Sequence, residues 1–207
     1  MKDLLHEALW RSREIGYLGP GPVEDHILHA RAFASVVTSD PARALDLGAG
    51  GGLPGLVLAV DAWPGCRWTF LDAQKKRTAF LESEVQALDL TDRVDVVTAR
   101  AEDFGRQPEH RGSFDVVVSR SFGPPAVTAE CAAPLLRAGG LLVVSEPPTG
   151  SGDRWPVEGL AILGLGPAEM IDVAGDPPAH FALMERTTAS IDRYPRRVGI
   201  PGKRPLF

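Results

Sequence analysis

Apolar positions change their spacing along the chain. Near the amino terminus they recur every three or four residues, and further on they gather in short continuous runs. The first spacing is typical of helices that bury one face, and it predicts helices over residues 3–15 and 23–37. The short runs predict strands that are buried on both sides, because a strand between two layers of helices has no polar face.

From residue 43 onward, predicted strands and predicted helices alternate. The strands cover residues 44–47, 67–71, 94–98, 114–119 and 141–145. The helices between them cover residues 53–61, 75–88 and 127–136. Such alternation is typical of a parallel sheet with helices on both faces. We therefore predict an α/β fold of the doubly wound, Rossmann-like type.

The pattern weakens after residue 145, where a loop rich in proline and glycine begins. Two apolar runs beyond it, residues 157–165 and 181–185, are candidates for the last two elements of the sheet. Strands this close in sequence can form an antiparallel hairpin. We therefore predict a mostly parallel sheet with one antiparallel edge strand.

Composition limits the class of protein. With 207 residues and 44% hydrophobic content, the chain can bury one sizeable core. No run is long enough to span a membrane, and charged residues interrupt the first fifteen positions, which argues against a secretory signal. Cys66 and Cys131 are too few and too separated for a metal site or a disulfide framework. We expect buried thiols in a cytoplasmic monomer that binds no metal ion.

Charge is distributed unevenly. The net charge of −5 argues against a globally basic nucleic-acid binder. The last fifteen residues nevertheless contain no acid and five basic side chains: Arg193, Arg196, Arg197, Lys203 and Arg204. We therefore divide the chain into a helical extension over residues 1–40, a domain over residues 41–190 and a basic, proline-containing tail over residues 191–207.

The strongest chemical signal is a loop after the first predicted strand. Residues 46–55 read Asp-Leu-Gly-Ala-Gly-Gly-Gly-Leu-Pro-Gly, and an apolar stretch that predicts a helix follows. Glycine permits positive φ angles and lets a ligand approach the backbone without a Cβ in the way. A helix N-terminus behind such a loop offers N–H groups and a partial positive charge. This combination is typical of a site for the polar end of a nucleotide-like cofactor.

The spacing of the glycines distinguishes between cofactors. Gly48 and Gly50 fit the dinucleotide fingerprint, but its third glycine is replaced by Leu53, which disfavours a nicotinamide cofactor. The spacing present is Gly48-x-Gly50-x-Gly52, preceded by Asp46. This form resembles the first motif of class I S-adenosylmethionine (SAM) methyltransferases. An acid at the strand end suits the ammonium group of SAM, and backbone N–H groups suit its carboxylate.

Four further candidate residues lie at or just after the ends of predicted strands. Asp72 ends the second strand and can accept both ribose hydroxyls of SAM or of a nicotinamide cofactor. After the third strand, Glu102 can bond an adenine amino group while Ala101 leaves room for the ring; the alternative is an acid favoured at a helix N-terminus. After the fourth strand, Arg120 is expected in the same crevice, facing a carboxylate, a phosphate or a base edge. The alternative is an exposed arginine at the end of a strand.

Together these motifs resemble the bacterial small-subunit ribosomal RNA methyltransferase G family, also called glucose-inhibited division protein B. The resemblance extends to the Gly-Leu-Pro-Gly end of the loop and to the tail over residues 193–206. It implies SAM-dependent methylation of a guanine N7 in small-subunit (16S) ribosomal RNA. It also implies that five residues contact SAM or its surroundings: Gly48, Leu53, Ala101, Glu102 and Arg120.

These arguments give a set of predicted site residues. The predicted cofactor-binding residues are Asp46, Gly48, Gly50, Gly52, Leu53, Asp72, Ala101, Glu102 and Arg120. Arg120 is also the predicted catalytic residue. The five basic tail residues are predicted to contact RNA phosphates, which would make binding depend strongly on salt.

One of three departures from the family pattern lies after the fifth predicted strand. Where the family tends to have Lys-Gly after the fifth strand, this chain has Glu146-Pro147, and a carboxylate there is expected to repel RNA phosphates. Two other functions therefore stay open. One is a SAM-dependent methyltransferase for a small molecule or a protein, and the other is a SAM-binding protein without turnover.

Overall fold

A computed structural model describes residues 2–149, 152–188 and 192–207 of the chain. The strands are β1 (Arg43–Leu47), β2 (Arg67–Asp72), β3 (Val94–Thr98), β4 (Phe114–Ser119), β5 (Leu136–Glu146), β6 (Glu169–Val173) and β7 (Ala179–Glu185). The helices are α1 (Lys2–Glu14), α2 (Val23–Ser35), α3 (Gly55–Val57), α4 (Lys75–Ala87), α5 (Ala101–Phe104), α6 (Pro125–Ala132), α7 (Val157–Ile162) and α8 (Ile200–Lys203). Helix α3 continues directly as a π-helix over Leu58–Ala62.

The described strands form one seven-stranded sheet in the order β3-β2-β1-β4-β5-β7-β6. The five strands β3, β2, β1, β4 and β5 pair with their neighbours in parallel. Strand β7 runs antiparallel to both β5 and β6. The predicted α/β fold, mostly parallel with an antiparallel strand near one edge, is confirmed. The chain changes direction across the sheet between β1 and β4, which is where open α/β sheets bind ligands.

The prediction of a strand over residues 157–165 is wrong. Val157–Ile162 instead forms helix α7, which begins directly after Pro156. The strand that pairs with β7 at the edge of the sheet is β6, Glu169–Val173. A short apolar run fits a buried strand and a buried helix equally well, so its spacing alone does not separate them. Strand β6 was missed because it is short and the charged Glu169 and Asp172 interrupt its apolar pattern; its residues are exposed or half-buried, as is common for an edge strand.

The sheet is covered on both faces. Successive residues of β1 enter opposite cores: Ala44 packs in one, and Leu45 and Leu47 pack in the other. Cys66 and Cys131 are buried free thiols, as predicted. Within the described ranges, no helix combines the length and apolar character needed to span a bilayer. With both faces covered, the loops at the carboxyl ends of the strands remain open for a site.

Candidate cofactor and acceptor site

Three neighbouring cavities open at the carboxyl ends of β1 to β5. The first, of about 310 Å³, extends from Gly48 to Asp72 and Glu102. The second, of about 220 Å³, follows the glycine loop and reaches Arg120. The third, of about 360 Å³, lies on the other side of Arg120, against the end of β5. Ser121 lines all three, so the cavities adjoin one another around the end of β4.

Gly48 borders the first two cavities and can only be glycine. Its φ is +80°, and a Cβ there would lie 2.7 Å from Cδ2 of Phe122. Gly50 and Leu53 line the second cavity, as their predicted role requires. The loop therefore leaves its backbone uncovered at the point where the two cavities meet.

The loop amides are less available than the sequence suggested. The N–H groups of Gly48 and Ala49 donate to the carbonyl of Leu71, at 2.9 and 3.0 Å. The N–H of Gly50 donates to Oδ2 of Asp72 at 3.0 Å. These bonds fasten the loop to the end of β2. They correct the expectation that the loop amides are free to bind a carboxylate.

Asp46 and Gly52 lie behind the loop. Asp46 is fully buried, and its Oδ2 accepts the N–H of Gly55 at 2.8 Å. Burial raises the pKa of Asp46 to about 7, against the opposing effect of the Gly55 bond. A Cβ at Gly52, where φ is +100°, would collide with the side chain of Leu56. Both residues shape the loop from inside, whereas the prediction placed them in contact with the cofactor.

Two acids line the first cavity. Asp72 is almost fully buried; its Oδ1 accepts the N–H of Gln74 at 2.8 Å, and Nη1 of Arg77 is 3.7 Å from its Oδ2. Oε1 of Glu102 accepts the N–H of Gly199 at 2.9 Å and Nη2 of Arg100 at 3.3 Å. Burial acts to raise the pKa of Glu102, but these donors outweigh it and leave that pKa below its ordinary value.

Arg120 separates the second cavity from the third. Its Nη2 donates to Nδ1 of His26 at 2.9 Å. Nε2 of His26 is 3.2 Å from the carbonyl of Gly19, so the proton of a neutral ring is on Nε2 and Nδ1 is free to accept. Nη1 of Arg120 is buried with no hydrogen-bond partner in the described structure. Ser121 follows at φ +58°, a conformation that is costly for a residue other than glycine and occurs often at functional sites.

Sequence reasoning missed Arg77. This side chain lines both the first and second cavities, and its guanidinium lies 5.7 Å from the ring centroid of Tyr17. The available signal was its place in the first turn of α4, two residues after the helix begins at Lys75 and five after Asp72. Arg77 and Arg120 are thus two cations on the border of the second cavity.

The third cavity is built from side chains of distant segments. Glu146, the last residue of β5, is buried and forms an ion pair with Arg154. Nε2 of His29 is 3.1 Å from Oγ of Ser145, and burial lowers the pKa of His29 to about 4. Trp155 completes the wall. Because Arg154 compensates the charge of Glu146, the expected repulsion of phosphates by that carboxylate is much reduced.

The comparisons agree with this geometry. The family model described as rRNA small subunit methyltransferase G matches residues 20–146. A ribosomal RNA small subunit methyltransferase G from Roseiflexus castenholzii is 36% identical over 191 residues, covering 89% of this chain and 80% of that protein. The chain belongs to this methyltransferase G family. The protein of the same name from Desulfitobacterium hafniense is 37% identical, with 87% and 76% coverage.

The fold is found more widely than the family. An O-methyltransferase from Bacillus cereus, solved in complex with S-adenosylhomocysteine (SAH), superposes with a TM-score of 0.60 at 20% sequence identity. The superposition covers 90% of this chain and 91% of that one. Such a likeness concerns the fold alone. The resemblance to the methyltransferase G family noted from the sequence is confirmed by the family model and by its members.

The basic tail divides into paired and exposed residues. Arg193, Arg197, Lys203 and Arg204 are exposed. Arg196 instead donates to the buried carboxylate of Glu130, from Nε at 2.9 Å and from Nη2 at 2.6 Å. The predicted contact between Arg196 and RNA therefore conflicts with its position in this family member. Within the described ranges, no group of three histidine, cysteine or acidic residues could hold a metal ion.

Proposed function

We propose that this member of the methyltransferase G family transfers the methyl group of SAM to N7 of a guanine in small-subunit ribosomal RNA. The observation that supports this most is the placement of Arg120. It borders the second cavity, next to the glycine loop, on one side and the third cavity, of about 360 Å³, on the other. A cofactor and an acceptor can therefore meet beside one fixed cation.

The donor set suits SAM. We place its adenosine in the first cavity, where the Asp72 carboxylate can accept ribose hydroxyls and Glu102 can accept the adenine amino group. We place its amino-acid end in the second cavity. The unpartnered Nη1 of Arg120 and the guanidinium of Arg77 are suitable partners there for a carboxylate. When bound, SAM supplies an electrophilic methyl group on a sulfonium.

The chemistry asks little of acids and bases. Guanine N7 carries an in-plane lone pair, so no residue must remove a proton before it attacks. The residues of the chain align and desolvate the reactants, and alignment of this kind lowers a barrier by roughly 7–11 kcal/mol. His26 keeps the Arg120 guanidinium fixed, and Phe122 and Trp155 give the third cavity an apolar wall against which the acceptor base can pack.

We propose that the exposed basic residues of the tail bind RNA phosphates, and we remove Arg196 from that group. Lys203 and Arg204 project from the described surface beside Gly202, which lines the first cavity. Replacing both by alanine is expected to reduce the slope of log affinity against log salt by about 1.4–1.8. Filter binding of ribosomal RNA between low and high salt measures that slope. An unchanged slope would contradict this assignment.

Methyl transfer tests the proposal. The purified chain is incubated with methyl-labelled SAM and small ribosomal subunits from cells that lack this gene, and in parallel with a protein extract and a metabolite extract. Label is expected in the RNA and absent from it with Arg120→Ala, whereas Arg137→Ala, at the opposite ends of the strands, retains activity. Label found only in protein or metabolites would favour another acceptor. SAM binding without label in any fraction would contradict an enzymatic role.

A further inference from the structure

The tail packs on the cofactor side of the domain. Gly202 lines the first cavity, and the N–H of Gly199 donates to Glu102, an acid of the same cavity. Tyr194 and Pro201 are buried, so the segment rests on the body of the domain at two points. Residues 196–204 thus form an arch, named here the tail arch, that closes one side of the first cavity.

Arg196 holds both ends of the tail arch. Its backbone N–H, Nε and Nη2 all donate to the carboxylate of Glu130 in α6, at 2.8, 2.9 and 2.6 Å. Nη2 also donates to the carbonyl of Arg204 at 2.8 Å, at the other end of the arch. The side chain of Glu130 is completely buried, so a missing partner would leave an uncompensated charge in the interior.

We propose that Arg196 is a positioning residue of the cofactor site. By fixing the tail arch to Glu130, it places the Gly199 amide on Glu102 and Gly202 on the cavity wall. The inference rests on the proposed function in one respect, namely that the first cavity holds the adenosine of SAM. It gives the tail a second role, because the exposed residues of the same segment face the solvent while its backbone completes the cofactor pocket.

The first measurement is calorimetry with S-adenosylhomocysteine (SAH), the demethylated product of SAM, on the full chain. Arg196→Ala is expected to weaken SAH binding about tenfold, because Glu102 loses a charge-assisted hydrogen bond and one wall of the cavity moves. The matched control is Arg137→Ala, which breaks the ion pair with Asp115 at the amino ends of the strands. This control is expected to bind SAH within twofold of the parent chain. Equal SAH affinity in Arg196→Ala and the parent would overturn the proposal.

The second measurement needs no ligand. The Gly199 amide is hydrogen-bonded to Glu102, so its hydrogen exchange is expected to be slow in the parent chain and at least tenfold faster in Arg196→Ala. Arg196→Lys keeps the charge but loses the two-pronged geometry, and it is expected to fall between the two. Unchanged hydrogen exchange at Gly199 in Arg196→Ala would contradict the anchoring role of Arg196, whether or not the parent chain binds SAH. Failure of the parent chain to bind SAH would instead contradict the proposed function.

A double-mutant cycle separates positioning from a general loss of stability. Glu102→Gln and Arg196→Ala are combined, and SAH affinity is measured for all four proteins. If Arg196 acts through Glu102, the two effects are expected to be clearly less than additive. In methyl transfer the KM for SAM is expected to rise in Arg196→Ala more than kcat falls. Full additivity together with a fall in kcat alone would overturn the proposal.

Discussion

The two sides of Arg120 are built in different ways. On the cofactor side, many of the lining residues are small and lie at or after strand ends, such as Gly48 and Ala101, beside larger ones such as Arg77. On the acceptor side, the wall includes large side chains from separate segments, among them His29 and the Glu146–Arg154 pair. A site made by backbone geometry depends on glycine spacing, while a site made by side chains depends on tertiary pairing. We therefore expect substitutions on the cofactor side to be tolerated least.

The largest effect on activity is expected from a substitution of Arg120, which lies between the cofactor side and the acceptor side. Arg120→Lys keeps the charge but cannot bond His26 and face the second cavity at the same time. We expect kcat/KM for RNA methylation to fall about 100-fold or more, the loss typical of removing a preorganised donor from a site. Steady-state kinetics with labelled SAM measures it. A loss below threefold would mean that Arg120 does not join the two sides.

On the cofactor side, the largest loss of SAH affinity is expected from a substitution of Gly48. Gly48→Ala forces a side chain into a left-handed backbone position and against Phe122, so SAH affinity should fall about 30-fold or more. Gly112→Ala is the matched control, because Gly112 also has positive φ but a Cβ there would meet only an ordinary contact, 3.9 Å from the carbonyl oxygen of Leu136. Calorimetry should show a loss for the first variant and none for the second. Similar losses in both would indicate general strain and no effect specific to the cavity.

The acceptor side is expected to respond to its ion pair without any effect on cofactor binding. Arg154→Ala leaves the buried Glu146 carboxylate uncompensated beside the acceptor cavity, so the KM for RNA should rise about tenfold. Adding Glu146→Gln removes that charge and should recover most of the loss. SAH affinity is expected to stay within twofold throughout. If Arg154→Ala also lost SAH affinity, the cofactor side and the acceptor side would not be independent, which would contradict this comparison.

The smallest effect concerns pH. The pKa of His29 is about 4 in the folded protein and near 6.5 when unfolded, so its stabilising contribution is present above pH 6.5 and is lost as pH falls towards 4. Between pH 7 and pH 5, the parent chain should lose about 1 kcal/mol more unfolding free energy than His29→Asn, after allowance for partial solvent screening. Urea unfolding at both pH values measures this. Equal losses of unfolding free energy in the two proteins would mean that His29 is more exposed to solvent and that its pKa is not lowered by burial.

The parallel half of the sheet and its glycine loop could be predicted because short apolar runs and glycine spacing are local signals. The direction of a side chain is not local. Asp46 ends a strand as expected, yet its carboxylate turns inward to Gly55, on the side of the core that Ala44 shares. Strand alternation from Ala44 was the one signal that could have indicated this.

Pairs that are distant in sequence could not be predicted. Glu130 and Arg196 are 66 positions apart, and neither has a neighbour that reveals the other. The same holds for His26 and Arg120, which are 94 positions apart. The tail therefore reads as a uniformly basic segment in the sequence, while in the structure one of its arginines is committed to a buried acid. Only the fold separates that arginine from its exposed neighbours.

The most direct test of the account is nucleoside mass spectrometry of small-subunit ribosomal RNA from cells that carry this gene, lack it, or carry only its Arg120→Ala form. The account predicts N7-methylguanosine at one RNA position in the first case and its loss from that position in the other two. An unchanged level of N7-methylguanosine in cells without the gene would contradict the account.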